Sequence, residues 1–330
     1  MADPVSNVNS AALPLTAAAV RQRAADYLAL TKPRVVMMVL VTTLVGYYLG
    51  SDGAPALLPL VHTLLGTALA AGGTLALNQY MERDLDRRME RTRRRPLPDG
   101  RLAPVEALVL GGMLLLGGLV YLRVAVNLPC ALVTTAIAVT YLLLYTPLKP
   151  VTSLCSLVGA VPGALPPVAG WAASHGTIGP EAWVLFAIMY LWQIPHTLAI
   201  GRMYRDDYAR AGIRVLPVVD GDGASTATHA VANCLALLPV ALLPTLLGMA
   251  GALYFATALL LGLCFLWSAV GMARTRSLSD ARRLLVVSLV YLPVLLGTMA
   301  FDKLPLVRLP AGRSRCHAGP LPLRPSTSRW

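Results

Sequence analysis

Residues 57–92 read LLPLVHTLLGTALAAGGTLALNQYMERDLDRRMERT, an apolar run that passes directly into a stretch crowded with acids and arginines. From Leu57 to Tyr80 the run is long enough for a helix to cross hydrocarbon, which takes roughly 20 residues. It is continuously apolar rather than alternating, and Leu, Ala and Gly dominate over β-branched residues. Those features select a helix over a barrel strand, because a barrel alternates lipid-facing and lumen-facing side chains.

Working outward, similar runs fall at residues 35–50, 104–122, 129–147, 152–173, 182–201, 228–250, 252–272 and 284–301. With the first stretch they make about nine expected spans. Of the 330 residues, 56% are hydrophobic and 13% charged, too apolar for an ordinary soluble domain with a charged surface. The expected fold class is all-α, a polytopic transmembrane helix bundle with lipid as its solvent. The expected organisation is a cytoplasmic N-terminal segment over 1–30, one intramembrane domain over 31–303, and a basic tail over 304–330. The tail is rich in Pro, Arg and Ser without helical period and is expected to be disordered.

The formal charge of +12 raises nucleic acid as a partner. A nucleic-acid groove would interleave bases with stacking aromatics, whereas these arginines sit in loops between spans, so no nucleic acid is expected. Arg83, Arg87, Arg88, Arg91, Arg93, Arg94, Arg95 and Arg101 follow the second span, and Arg202, Arg205, Arg210 and Arg214 follow the sixth. Both loops are expected on the cytoplasmic side, with Lys32, Arg34, Lys149, Arg274, Arg276, Arg282 and Arg283. The alternate loops, near Asp52, Arg123, His175 and Met249, are poor in cations. Only the tail, from Lys303 onward, puts positive charge on the wrong side of this nine-span, N-inside scheme. No basic-then-apolar leader with a cleavage site is evident, and no Arg- and Ser-rich transit peptide, which favours a bacterial inner membrane. Cys130, Cys155, Cys234, Cys264 and Cys316 lack C-x-x-C spacing and read as small packing residues.

The chemistry concentrates where the second span ends. Asn78, Glu82 and Asp86 stand at i, i+4 and i+8, which lines one helix face with oxygens. Three such oxygens suit a hard cation such as Mg²⁺, which takes a few carboxylates and completes its shell with phosphate and water. The plainer reading is a charged helix end whose acids pair with neighbouring arginines. A second acidic motif, Tyr204-Arg205-Asp206-Asp207-Tyr208, lies in the other basic loop on the same face. Arginines would repel a lone cation but suit a metal–diphosphate complex, neutralising charge on a leaving diphosphate. Lys32 and Arg34 before the first span and Lys149 after the fourth are further candidates for diphosphate; membrane anchoring explains them otherwise. His196, in Trp192-Gln193-Ile194-Pro195-His196, sits near the membrane boundary, where packing competes with a ligand or proton-transfer role. The glycines and prolines from Gly159 to Trp171 permit close helix approach or a broken helix.

These motifs resemble the intramembrane prenyltransferases of the UbiA type, and within them the protoheme IX farnesyltransferase, or heme O synthase, branch. The likeness runs from about Tyr27 to Lys303. It takes in Thr31-Lys-Pro-Arg-Val35, the Asn78–Asp86 motif, Met89-Glu-Arg91-Thr92 leading to Arg95-Pro96-Leu97, and Gly100. It continues through Tyr145-Thr146, Ala164-Leu-Pro166-Pro167 to Gly170-Trp171, and Trp192–His196 followed by Tyr204–Gly212. The paired acidic motifs mark the superfamily; the Trp192–Tyr208 block is what points to the heme branch.

The resemblance implies nine helices around a central cavity, with Mg²⁺ and farnesyl diphosphate at the cytoplasmic end. It implies Asn78, Glu82 and Asp86 as one metal–diphosphate site and Asp206 with Asp207 as part of a second. Arg91 and Arg95 are the implied phosphate binders, joined by Lys32, Arg34, Lys149, Tyr204 and Arg205. The implied reaction adds the farnesyl carbon to a vinyl group of heme B, with water supplying a hydroxyl, and His196 orients the heme or manages a proton. Association with a heme A synthase or oxidase assembly follows as a further expectation. Glu82 stands where many bacterial members carry Asp, a longer arm bearing the same carboxylate, and the basic tail matches nothing in the family. A quinone-precursor prenyltransferase would share the acidic motifs, and a transporter would hold its polar groups near the bilayer midplane.

Overall fold

The computed structural model describes residues 17–305. All but the first two residues of the expected tail lie outside the described residues. Helix α1, Ala17–Leu30, precedes nine helices long and apolar enough to span a membrane among the described residues. These are α2 Pro33–Gly50, α3 Leu57–Asp86, α4 Pro104–Ala125, α5 Leu128–Leu148, α6 Cys155–His175, α7 Pro180–Met203, α8 Ala224–Leu246, α9 Ala252–Thr275 and α10 Leu278–Phe301. Pro33, Pro104, Pro129 and Pro180 stand in first turns, where a missing N–H leaves no intrahelical bond unmade. The apolar side chains of α4 at Val109, Met113, Leu116, Val120 and Val124 are all exposed. In water such a face would be costly; against lipid tails it is the expected exterior.

Several boundaries differ from the sequence reading, and three of them have a clear local setting. α3 runs past Tyr80 to Asp86, so the acidic motif belongs to the span itself. α10 starts at Leu278 rather than 284 because the Ser277 hydroxyl accepts the Asp280 N–H, and Arg282 and Arg283 therefore lie in its opening turns and not in a loop. α8 ends at Leu246, four residues early, in a turn with Gly248 at φ 71° that leads to an isolated bridge between Ala250 and Lys303.

The centre of the bundle is the second half of α6. Pro166 through Ala173 are all buried, and this half lies against α2, α5 and α7. The helix breaks at Leu165, between Ala164 and Pro166, as its prolines dictate. α2 and α6 touch backbone to backbone. A Cβ on Gly46 would lie 1.9 Å from the Pro167 carbonyl oxygen, and one on Gly170 would lie 2.0 Å from that of Thr43. Without a strong hydrophobic drive between helices in lipid, such close approach is what gives dispersion its grip.

The end opposite the acidic motifs explains the misplaced positive charge of Lys303. Its ammonium donates to the carbonyls of Tyr48 and Ser51, each at 2.6 Å, and lies 4.7 Å from the Tyr48 ring centre. Lys303 thus satisfies carbonyls at the C-terminus of α2, where a cation is favoured by the helix dipole. Burial lowers its pKa, with Asp52 working in the opposite direction. Asp302 accepts the Tyr254 N–H at 2.8 Å, fixing the start of α9 to the same end.

Replacing Gly170 or Gly46 by Val should lower the thermal unfolding midpoint in detergent, with a cost of about 3 kcal/mol, the upper end for overpacking. Gly112→Ala, where a Cβ meets nothing within 4 Å, should leave the midpoint unchanged or raise it slightly.

Candidate active site

Because α3 stays helical to Asp86, the spacing of Asn78, Glu82 and Asp86 becomes one buried face, with the three residues 0%, 7% and 4% exposed. Each meets its own cation from a different segment. Lys32 donates to Asn78 Oδ1 at 2.9 Å, Lys149 Nζ stands 2.5 Å from Glu82 Oε1, and Arg95 donates to Asp86 Oδ2 at 2.7 Å. They surround a cavity of about 170 Å³ that Arg91, Thr92, Tyr141, Tyr145 and Tyr208 also line. Four cations and two carboxylates line this cavity, so it carries positive charge in excess of its own acids.

Local structure explains each placement. Lys32 has φ 49°, a left-handed conformation uncommon outside glycine, and it turns the chain between α1 and Pro33. Burial, then the nearby Arg95 and Lys149, push its pKa down to about 7. Burial pulls Lys149 the same way, but the Tyr145 ring and Glu82 more than offset it and hold its pKa above the ordinary value. Thr92 donates to the Asp86 carbonyl at 2.9 Å, bending the chain at the end of α3 so that Arg95 returns to Asp86.

Near its end α5 widens to a π-helical turn, Thr140–Tyr145. Pro147 cannot donate within the helix, and the Thr146 hydroxyl bonds back to the Tyr141 carbonyl at 2.8 Å. The same hydroxyl accepts from Asn78 Nδ2 at 3.1 Å, so the Asn78 amide is fixed with its oxygen toward Lys32. The wide turn brings both Tyr141 and Tyr145 to the cavity wall. Sequence reasoning missed Tyr141 and Thr92; a proline closing an aromatic helix end was the available signal for the first.

The second acidic motif joins the first through its loop. Asp207 Oδ1 accepts the Glu90 N–H at 2.8 Å and Arg210 at 2.7 Å. Burial raises its pKa, but these donors and the Arg91 N–H outweigh that and hold it below the usual carboxylate range. Met89 is buried with Ala211 and Ile213 beneath this contact, and the Arg91 guanidinium lies 5.3 Å from the Tyr204 ring centre and 6.0 Å from that of Tyr208.

Of the expected site residues, the structure gathers Lys32, Asn78, Glu82, Asp86, Arg91, Arg95 and Lys149 around one cavity. Tyr204 lies beside them through Arg91, and Asp207 supports the Glu90–Arg91 backbone. Arg34 and Asp206 are exposed, Arg205 is half-buried, and none of the three lines the cavity. His196 is also outside it, bonded instead to Ser288 of α10 at 2.8 Å. Among the described residues no three His, Cys, Asp or Glu side chains converge as a metal cluster.

Comparison with known proteins identifies the family and the fold. The UbiA prenyltransferase family matches residues 39–292. A protoheme IX farnesyltransferase of Solibacter usitatus is 49% identical over 287 residues, covering 84% of this chain and 98% of that protein. One of Koribacter versatilis is 43% identical over 290 residues, covering 84% and 93%. In fold, the chain is similar to a digeranylgeranylglyceryl phosphate synthase, with a TM-score of 0.74 at 16% identity over 85% of this chain and 98% of the other. It is likewise similar to a UbiA homologue from Archaeoglobus fulgidus bound to GPP and Mg²⁺, with a TM-score of 0.62 at 16% identity over 83% and 99%. A nine-span bundle, a cation-rich cavity at the end of its acidic helix and near full-length likeness to these proteins lead to one assignment: the chain belongs to the UbiA prenyltransferase family.

Proposed function

We propose that this chain transfers the farnesyl group of farnesyl diphosphate to a vinyl group of heme B, giving heme O and diphosphate. The observation that carries the donor side is the one-to-one pairing of Asn78, Glu82 and Asp86 with Lys32, Lys149 and Arg95 around a cavity with excess positive charge. A buried excess of cations calls for an anion, and a diphosphate supplies it. The acceptor side is supported by full-length relatives named protoheme IX farnesyltransferase.

Mg²⁺ is the proposed cofactor. The fit is chemical: two carboxylates and an amide oxygen on one buried face are what a hard cation takes when phosphate oxygens complete its shell. Asn78, Glu82 and Asp86 would hold it; Asp206 and Asp207 do not line this cavity, and Asp207 would act through the Glu90–Arg91 backbone that it holds. When bound, Mg²⁺ neutralises diphosphate oxygens and so improves the leaving group. The chain's own part follows from its present pairings. Lys149, Arg95 and Lys32, released from their oxygen partners, would donate to the diphosphate together with Arg91. Arg34, Tyr204 and Arg205, which do not line the cavity, would assist only as the diphosphate enters, Tyr204 through its contact with Arg91. The C1–O bond then breaks with its electron pair leaving on diphosphate, and the allylic carbon bonds the terminal vinyl carbon. Water adds to the resulting cation and loses a proton. Tyr141 and Tyr145 wall the cavity with ring faces that attract positive charge.

Residues 31–303 form the proposed catalytic domain, with the acidic end on the cytoplasmic face of a bacterial inner membrane. The arginine-rich loops and the bacterial relatives support that placement. Association with a heme A synthase belongs to the same proposal, since heme O is a membrane-bound intermediate that some further enzyme must oxidise.

Membranes holding the protein, given heme B, farnesyl diphosphate and Mg²⁺, should yield heme O by mass spectrometry, and EDTA should abolish it until Mg²⁺ is restored in excess. Prenylation of a quinone precursor with heme left unchanged would keep the family and overturn the acceptor. Glu82→Gln and Asp86→Asn should each lower kcat by about 10²–10³-fold in a steady-state assay, the scale of losing one charge-stabilising group. Asp207→Asn should raise KM for farnesyl diphosphate by about tenfold, because it frees the backbone that presents Arg91.

A further inference from the structure

Helix α1 buries two of its 14 residues, Asp26 and Leu30, which stand one turn apart on the same face. The rest of the helix is largely open to water. A carboxylate on such a helix gains nothing from burial; burying it costs free energy unless a cation meets it there. Arg101, 75 residues further on, is that cation, and its Nη1 pairs with Asp26 Oδ1. Gln22 Nε2 donates to the same oxygen at 3.3 Å. The rest of the guanidinium is used as well. Nη2 donates to the Arg94 carbonyl at 2.9 Å and Nε to Asp99 Oδ2 at 2.8 Å. Arg101 therefore gathers the turn from Arg94 to Asp99 and fastens it to α1.

An apolar contact beside the ion pair joins the same two segments. Leu30 of α1 is buried with Leu97 and Leu102 of the loop, together with Ala76 of α3 and Ala107 of α4. Two cations of the diphosphate cavity flank this contact: Lys32 stands two residues after Leu30, and Arg95 two residues before Leu97. Both line the cavity, Lys32 on Asn78 and Arg95 on Asp86. Like charges brought to one cavity repel, so something outside it must hold them there. Gln79 of α3 donates to the Ala29 and Leu30 carbonyls at 3.1 and 2.8 Å, which fixes the end of α1 to the bundle. The loop is then fixed to α1 by Arg101 and Leu97.

We propose that Asp26 and Arg101 are positioning residues for diphosphate binding, their ion pair holding Lys32 and Arg95 at one cavity against their mutual repulsion. This rests on the diphosphate reading of that cavity and deepens it. An ion pair of this kind contributes little net stability but sets the register of the parts it joins, here a surface helix and a loop. Neither residue lines the cavity. The pair therefore acts on how tightly the diphosphate is held and not on the breaking of its C1–O bond.

The experiment uses purified full-length protein in nanodiscs with Mg²⁺. Calorimetry gives the Kd of farnesyl thiolodiphosphate, whose C–S bond resists ionisation, and a steady-state assay with farnesyl diphosphate and heme B gives kcat and KM. Asp26→Asn and Arg101→Gln should each weaken binding and raise KM by about tenfold, the worth of one hydrogen bond to a charged group, with kcat unchanged. Asp26→Glu, which keeps the charge, should retain wild-type affinity. Arg101→Lys, which keeps the charge but cannot reach Asp26, Asp99 and the Arg94 carbonyl together, should fall between. Wild-type affinity in folded Asp26→Asn and Arg101→Gln overturns the inference, as does a fall in kcat at unchanged affinity, or Asp26→Glu as weak as Asp26→Asn. Where Asp26→Asn or Arg101→Gln does not fold, Arg101→Lys carries the test, and wild-type affinity in it overturns the inference. In each of these cases wild type still binds the analogue and the diphosphate reading stands; if wild type does not bind it, both fall.

Discussion

A bilayer leaves a helix bundle few places for charge, because hydrocarbon solvates neither ions nor unpaired backbone. The contact between Glu82 and Lys149 obeys that constraint: a buried acid at the end of α3 faces a half-buried base just past the end of α5. Asp86 with Arg95 and Asn78 with Lys32 repeat the pattern. Each pair needs two segments brought together, so the site cannot form until α2, α3, α5 and the loop after α3 are in place. Buried ion pairs of this kind contribute little net stability against well-packed apolar groups, and their persistence points to work done by the charges themselves.

The same constraint explains why so much was legible in the sequence. Spans announce themselves through continuous hydrophobicity, and the i, i+4, i+8 run of Asn78, Glu82 and Asp86 needs only a helix to become a face. What stayed hidden depends on contacts between distant segments. That Asp207 holds the Glu90–Arg91 backbone is a matter of loop docking across 117 residues. Lys303 looked like an exception to the charge rule because the rule counts cations by side, whereas this one answers the carbonyls at the end of a particular helix. The π turn of α5 was foreshadowed by Pro147, but which rings it would bring to the cavity was not.

Two halves of the bundle do different work. α2 and α6, locked at Gly46 and Gly170, form a rigid partition with no room for a side chain between them. On one side of it, α3 and α5 carry the acids and phenols of the cavity; on the other, α7 carries the Trp192–His196 segment against α10. The two sides differ in character, one lined by acids, cations and phenols and the other largely apolar. The partition also accounts for the richness of α6 in glycine and proline, since a bulkier helix would push the two walls apart.

The ammonium of Lys303 lies 255 and 252 residues from the carbonyls of Tyr48 and Ser51 that it satisfies. During synthesis, at roughly 5–20 residues per second, those carbonyls wait on the order of 10–50 s for their partner. The first span to leave the ribosome is therefore among the last to be finished, and α2 depends in the meantime on water and headgroups at that end. A chain that ended between Phe301 and Lys303 would carry all nine described spans and still leave the C-terminal carbonyls of the first unanswered.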